Sequence, residues 1–364
     1  MKIFKITAAL LFALSPAVQT FGLTVTVTPP QVSENQTAVN DAAKQLEADI
    51  MSRFGNVSGR PKKFAKANAD SASYTSHVAT QRGYTDYEHF AFTLGGMAGF
   101  QSPSLSFSDF DDFHNNLDDS MKDRGDVETG FSTQFAMQLG LKASFISDNL
   151  YLGAKFGMMK FKLSRKQEKD YKYSMFTFGL TGNYVLFNSM STESGAVRWR
   201  GVNFGTGFIY QTSKMKYIAS PEFAYASAQG SGDSYLYLQA EDLRLKYNID
   251  SKNLTIPFEL TTALRLLHRV NFTAGIGADF VVGKTEVTLG MEGGNIRTGG
   301  YNITVNEPGR LQVEGGSVSV NPSVIKPKII GGIGIDISGV IIDVPFTLYY
   351  GNGLNVGITL GFIW

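Results

Sequence analysis

From residue 88 onward, apolar residues alternate with small or polar ones, a period of two that predicts strands with one greasy face. The stretch "FSTQFAMQLGLKASF" shows it most clearly. Phe131, Thr133, Phe135, Met137, Leu139, Leu141, Ala143 and Phe145 share one face; Ser132, Gln134, Ala136, Gln138, Gly140, Lys142 and Ser144 share the other. Ten such segments are expected, near 88–101, 130–145, 150–163, 175–187, 198–218, 254–267, 270–283, 326–337, 341–350 and 354–364. Each has about the ten residues that a tilted strand needs to cross a bilayer. The connections are long at 102–129, 219–253 and 284–325 and short at 146–149, 268–269 and 338–340. That alternation is the habit of outer-membrane barrels, with long outer loops and short periplasmic turns. The ninth connection, "GNG", is short against the rule. An even strand number puts both ends of the barrel region on the periplasmic side. The expected fold is therefore all-β, a transmembrane antiparallel up-and-down barrel of about 10 strands. Further strands at "SYLYLQ" and "LRLKYNI" would widen it to 12.

The last segment, "GLNVGITLGFIW", ends on an aromatic residue in mid-pattern. A strand that closes a barrel against the first one has no free edge to protect. Trp364 then belongs to the interfacial belt, where an aromatic ring bridges hydrocarbon and water.

The residues ahead of the barrel follow other patterns. Val39, Ala42, Leu46, Ile50 and Phe54 recur at helical spacing, so 38–54 is expected as an amphipathic helix ended by Gly55. The following "RPKKFAKANADSASYTSHVATQRG" is basic, then rich in alanine and serine, as in a linker or a segment that docks on something larger. At the very start, "MKIFKITAALLFALSPAVQTFG" joins two lysines, a short apolar run and a proline, the pattern of a secretory signal peptide. Three regions result: a signal peptide at 1–22, a periplasmic or lumen-entering segment at 23–87, and a barrel at 88–364.

Composition narrows the function. The net charge is +1 with 18% charged residues, so no basic field points to nucleic acid. The absence of cysteine removes disulfides and thiolate metal sites. An exported chain with no long apolar run can live in a membrane only as a closed barrel, and the bacterial outer membrane is the expected location. The expected lumen face carries Lys142, Lys155, Glu259, Arg265, Asp279, Lys328, Asp336 and Asp343. In a narrow barrel such charges pair and fill the interior; in a wider one they line a water path. If Ile335 lies opposite Val344, Asp336 faces Asp343, and that repulsion calls for a cation. Arg60, Lys62, Lys63 and Lys66 are the nearest supply if the segment before the first strand folds up into the periplasmic mouth.

"AGIGADFVVG" (274–283), "IIGGIGIDI" (329–337) and "KKFAKANADSASYTSH" resemble the outer-membrane barrels of diderm bacteria, especially those of spirochaetes. The resemblance implies a porin, a surface adhesin or a hydrophobic-compound transporter. The C-terminal strand also resembles the one that the barrel assembly machinery recognises. "GIGAD" and "GIGID" lack the following helix that a nucleotide site needs, and their glycines instead let another backbone approach. Asp109, Asp111, Asp112, Asp118, Asp119, Asp123 and Asp126 surround His114, but at a spacing foreign to an EF-hand loop. No Asp-x-His element or His-Ser pairing joins His77, His89, His114 or His268 to a catalytic arrangement. The sequence thus leads to a porin-like passive channel for ions or small solutes, with no cofactor, metal or enzymatic site. A surface-exposed adhesin or ligand-binding barrel with a closed interior is the alternative. A hydrophobic-compound transporter or barrel enzyme comes third. Expected partners are outer-membrane lipids, the assembly machinery and small solutes.

Overall fold

A computed structural model describes residues 24–364 apart from 34, 56–59, 85–86, 103–128, 166–168, 220–222, 229–234, 242–243, 293 and 300–303. The strands in chain order are β1 (Thr24–Thr28), β2 (Gln31–Val32), β3 (Phe90–Gln101), β4 (Gly130–Lys142), β5 (Leu150–Arg165), β6 (Lys169–Phe187) and β7 (Met190–Ser191). They continue with β8 (Val197–Ala219), β9 (Phe223–Ala228), β10 (Tyr235–Glu241), β11 (Arg244–Leu266), β12 (Val270–Glu292) and β13 (Asn295–Gly299). The last are β14 (Val305–Glu307), β15 (Gly309–Glu314), β16 (Ser317–Val320), β17 (Ile325–Ile337), β18 (Val340–Tyr349) and β19 (Gly353–Ile363). Two helices, α1 (Gln36–Gly55) and α2 (Arg60–Tyr74), precede β3.

Ten strands form a closed antiparallel ring in the order β3, β4, β5, β6, β8, β11, β12, β17, β18, β19 and back to β3. The ten expected segments match these ten strands. Closure runs from Gly353↔Gln101 to Ile363↔Ala91, and the backbone carbonyl of Trp364 accepts from the His89 and Phe90 amides. The Trp364 ring meets Phe90 edge-on at 5.1 Å, and it stays exposed as a belt residue should.

Alternation sets the two faces. Leu139, Phe178, Phe208, Ile276, Ile329 and Ile358 point outward, while the inward positions Gln138, Thr177, Thr181, Asn271, Thr347 and Thr359 are buried. An apolar surface of this kind is stable only against lipid. Placing arginine at Ile358, which is 59% exposed, should cost roughly 2–4 kcal/mol in lipid, as read from urea titrations in vesicles. A cost near zero would mean that this face does not meet hydrocarbon.

The wall is uneven. β8, β11 and β12 have 23 residues each, against 12 for β3 and 10 for β18. "LRLKYNI" is therefore the upper part of β11 rather than an added barrel strand. "SYLYLQ" enters a second sheet with the order β1-β15-β13-β10-β9, built from two long connections and the chain's first strand. α1 covers this sheet with Val39, Ala42, Ala43 and Leu46 against Val25, Val27, Leu238, Ile296 and Leu311. The predicted stripe is thus a packed face, at least over its first half. Side chains at positions 50 and 54 lie outside the described residues. This second unit, here the cap, stands at the long-loop end of the barrel.

The turn between β17 and β18 corrects the expected register. Ile337 pairs with Val340, so Ser338 and Gly339 alone form the turn, both with positive φ (52° and 88°). That is the two-residue type I′ geometry, whose twist suits a hairpin. Asp336 therefore faces Ile341 and Asp343 faces Gly334, not each other.

Candidate functional site

The barrel interior is occupied by the chain's own residues 60–84. α2 is suited to a narrow space. Ala65, Ala67, Ala69 and Ala72 are strong helix formers with minimal bulk, and Pro61 sits in the first turn, where its missing amide is harmless. Ser71, Ser73 and Thr75 return their hydroxyls to carbonyls three residues back, and the Ser73 and Thr75 oxygens also accept from Lys326 and Gln211 of the wall. Ala65 and Ala69 pack against Tyr173, Met175, Met215, Ile249 and Val287. The fit is tight at Gly130, where an added Cβ would lie 2.1 Å from the carbonyl carbon of Ala67.

Three polar clusters join this plug to the wall. At the loop end, Asp70 accepts from the Ser323 amide at 2.6 Å and from Lys326 at 2.8 Å, and Lys66 reaches the Asn321 carbonyl at 3.0 Å. Mid-barrel, Lys328 Nζ lies 2.5 Å from both Glu259 and Asp279 and 2.9 Å from His77 Nε2. Arg82 grips Glu259 through Nε and Nη2, and His77 Nε2 lies 2.8 Å from Asp279. Lys155 donates to the Ser76 carbonyl at 2.9 Å and to the Thr80 hydroxyl at 2.8 Å. Toward the short turns, Tyr84 donates to Asp343 at 3.3 Å. Asp336 there holds Arg200 at 2.6 Å and Arg265 at 3.5 Å, and Arg200 also donates to the Gly83 carbonyl.

His77, Glu259 and Asp279 are close enough to share a metal ion. The Lys328 ammonium already stands among them, within hydrogen-bond distance of all three. It supplies the positive charge that an ion would bring, and it donates to both carboxylates that would hold one. The arrangement holds the plug: it joins β11, β12 and β17 to residues 77 and 82.

A family model described as Lsa36-like matches residues 21–364. The chain belongs to the Lsa36-like family. Similar solved structures are outer-membrane barrels. The translocator domain of the autotransporter NalP from Neisseria meningitidis is 8% identical, with 88% of this chain and 98% of that one covered and a TM-score of 0.29. For LpxR from Salmonella typhimurium the identity is 10%, the coverage 75% and 100%, and the TM-score 0.25. A Pseudomonas aeruginosa FadL homologue is 9% identical, with 80% and 97% covered and a TM-score of 0.24. No curated protein matches the chain.

In this Lsa36-like barrel the eight charges expected on the lumen face fall into groups. Lys155, Glu259, Asp279 and Lys328 meet around the plug at mid-barrel, while Arg265 and Asp336 meet near the turns. Asp343 stands with Tyr84, and half-buried Lys142 lies at the end of β4. The cations expected from residues 60–66 are not the ones beside Asp336. Arg200 and Arg265 take that place, because the plug runs the other way, with Lys66 at the loop end and Tyr84 at the turn end. Gly334 does admit a close neighbour, since an added Cβ would lie 2.2 Å from the Tyr84 hydroxyl. His77, Arg82, Asp70, Lys326 and Arg200 complete the clusters and were not among the expected residues. The alanine- and serine-rich composition ahead of the first strand was the available signal for the plug. The acidic stretch around His114 lies outside the described residues.

Proposed function

We propose that the protein is a closed outer-membrane barrel of a diderm bacterium that presents a binding surface, formed by its cap and long loops, to the cell exterior. The path of the chain carries this reading. β1 pairs with β15 at the loop end, α2 descends the lumen, Tyr84 reaches Asp343, and β3 then starts from the turn end. A porin-like channel, first among the sequence expectations, needs an open lumen. Here the lumen residues are engaged by the plug, which favours the binding barrel. The charged groups gathered in the lumen serve the plug, which supports reading that cluster as structural. The proposed partners are membrane lipids around the belt, the assembly machinery at β19 and Trp364, and a macromolecule at the cap.

The reading places the cap, with its exposed β14, outside the cell and the turn at 147–149 in the periplasm. An epitope inserted at β14 should be labelled on intact cells, and one within 147–149 only after permeabilisation. The opposite pattern would overturn the orientation.

A further inference from the structure

We propose that β1, the open edge of the cap sheet, is a self-association site that pairs antiparallel with β1 of a second copy of this chain. β1 is an end strand of its sheet. It pairs with β15 from Thr24↔Glu314 to Thr28↔Arg310, and among the described residues no strand lies on its other side. The Val27 amide donates to Glu47 Oε2 of α1 at 3.3 Å rather than to β15. By the alternation of an antiparallel ladder, Thr24, Thr26 and Thr28 are then the residues bonded to β15. Val25 and Val27 turn their amides and carbonyls to the open side. Soluble edges of this kind are blunted by a charge, a bulge or a proline. The strand "TVTVT" contains none of these, and Glu47 covers a single amide. Pro29 and Pro30 follow directly, so the pairing edge stops at Thr28.

The sequence of the edge selects its partner. Thr-Val-Thr-Val-Thr reads the same in both directions, so two copies related by a two-fold axis at Thr26 match residue for residue. Val25 of each copy stands opposite Val27 of the other. These are the residues whose bonding groups face the open side, so each such pair exchanges both of its hydrogen bonds. Thr24 stands opposite Thr28, and Thr26 opposite its own counterpart, threonine pairs of the kind that stabilise a ladder. The faces agree as well. Val25 and Val27 are buried under α1, while the threonines are exposed on the other face. A shift of one residue would set valines against threonines and turn one copy's helix-covered face over. An unrelated extended peptide lacks this match. Pairing over five residues buries less than a standard interface, so the association is transient. It is independent of whatever else the cap binds.

The chain has no cysteine, so single introduced cysteines report the contact on the full chain in neutral detergent. Residues opposed in a non-hydrogen-bonded pair have Cα atoms about 4.5 Å apart, within disulfide reach. Under oxidation by copper–phenanthroline, Thr26→Cys should form a linked dimer about tenfold faster than Thr37→Cys, an exposed position on α1. Thr24→Cys and Thr28→Cys should each link as slowly as Thr37→Cys when alone, yet link rapidly to one another when mixed. Heat-dependent gel mobility shows that each variant is folded. Equal rates for Thr26→Cys and Thr37→Cys overturn the proposal, and so does the absence of the mixed link. Self-linking of Thr24→Cys or Thr28→Cys at the Thr26→Cys rate would also overturn it, because the copies would then be meeting by collision without a register.

Discussion

Replacing Lys328 with methionine should lower the unfolding free energy by roughly 3–5 kcal/mol, the range found when one partner of a buried ion pair is removed. Its side chain is fully buried, with Glu259 and Asp279 both at 2.5 Å. Methionine fills similar volume but leaves two carboxylates facing one another in a space closed to water. Arg82 still answers Glu259, so the deficit falls mainly on Asp279, which keeps His77 and the Tyr349 hydroxyl. Adding Asp279→Asn should therefore return part of the loss, since it removes the orphaned charge. Urea titration in lipid vesicles measures both. A cost below about 1 kcal/mol for Lys328→Met would mean that water reaches the cluster and that the plug does not seal it.

Gly130→Leu should cost about 3 kcal/mol or more, or prevent the barrel from reaching its folded form. Overpacking usually costs 1–3 kcal/mol because side chains shift to make room. Here the obstacle is backbone: Ala67 C and O each stand 2.1 Å from the ideal Cβ position. Either the helix moves away from β4 or the strand distorts, and both disturb the buried clusters beyond. Gly96→Leu on β3 is the natural comparison, because a Cβ there has nothing within 4 Å and faces outward. That variant should fold as well as the wild type. Equal behaviour of the two, judged by gel mobility and urea midpoint, would mean that α2 does not lie against the wall.

The barrel was legible in the sequence because a lipid-facing strand must repeat every second residue, and segments such as 130–145 do so cleanly. The upper parts of β11 and β12 were not, since polar residues such as Lys252 and Lys284 replace the apolar ones above the belt. The pattern fades where the wall leaves the hydrocarbon. The cap was hidden for a related reason: β1, β10, β13 and β15 are short and pair across distant parts of the chain, so no local period announces them. Among the site residues, Lys155, Glu259, Asp279 and Lys328 could be assigned to the lumen by parity alone. Their partners His77 and Arg82 could not, because the segment carrying them has no strand period, and its direction through the barrel follows from tertiary contacts. The Asp336–Asp343 pairing failed on a single point of turn geometry, the choice between a two-residue and a three-residue turn at Ser338.

The closed lumen is the centre of this account, and single-channel recording on the full chain in a planar bilayer tests it most directly. Incorporated protein, verified as folded by its gel mobility, should give no reproducible conductance steps. Stable, stepwise ion currents from the wild-type chain would show an open path beside α2, contradict the plugged barrel, and return the porin-like channel to first place.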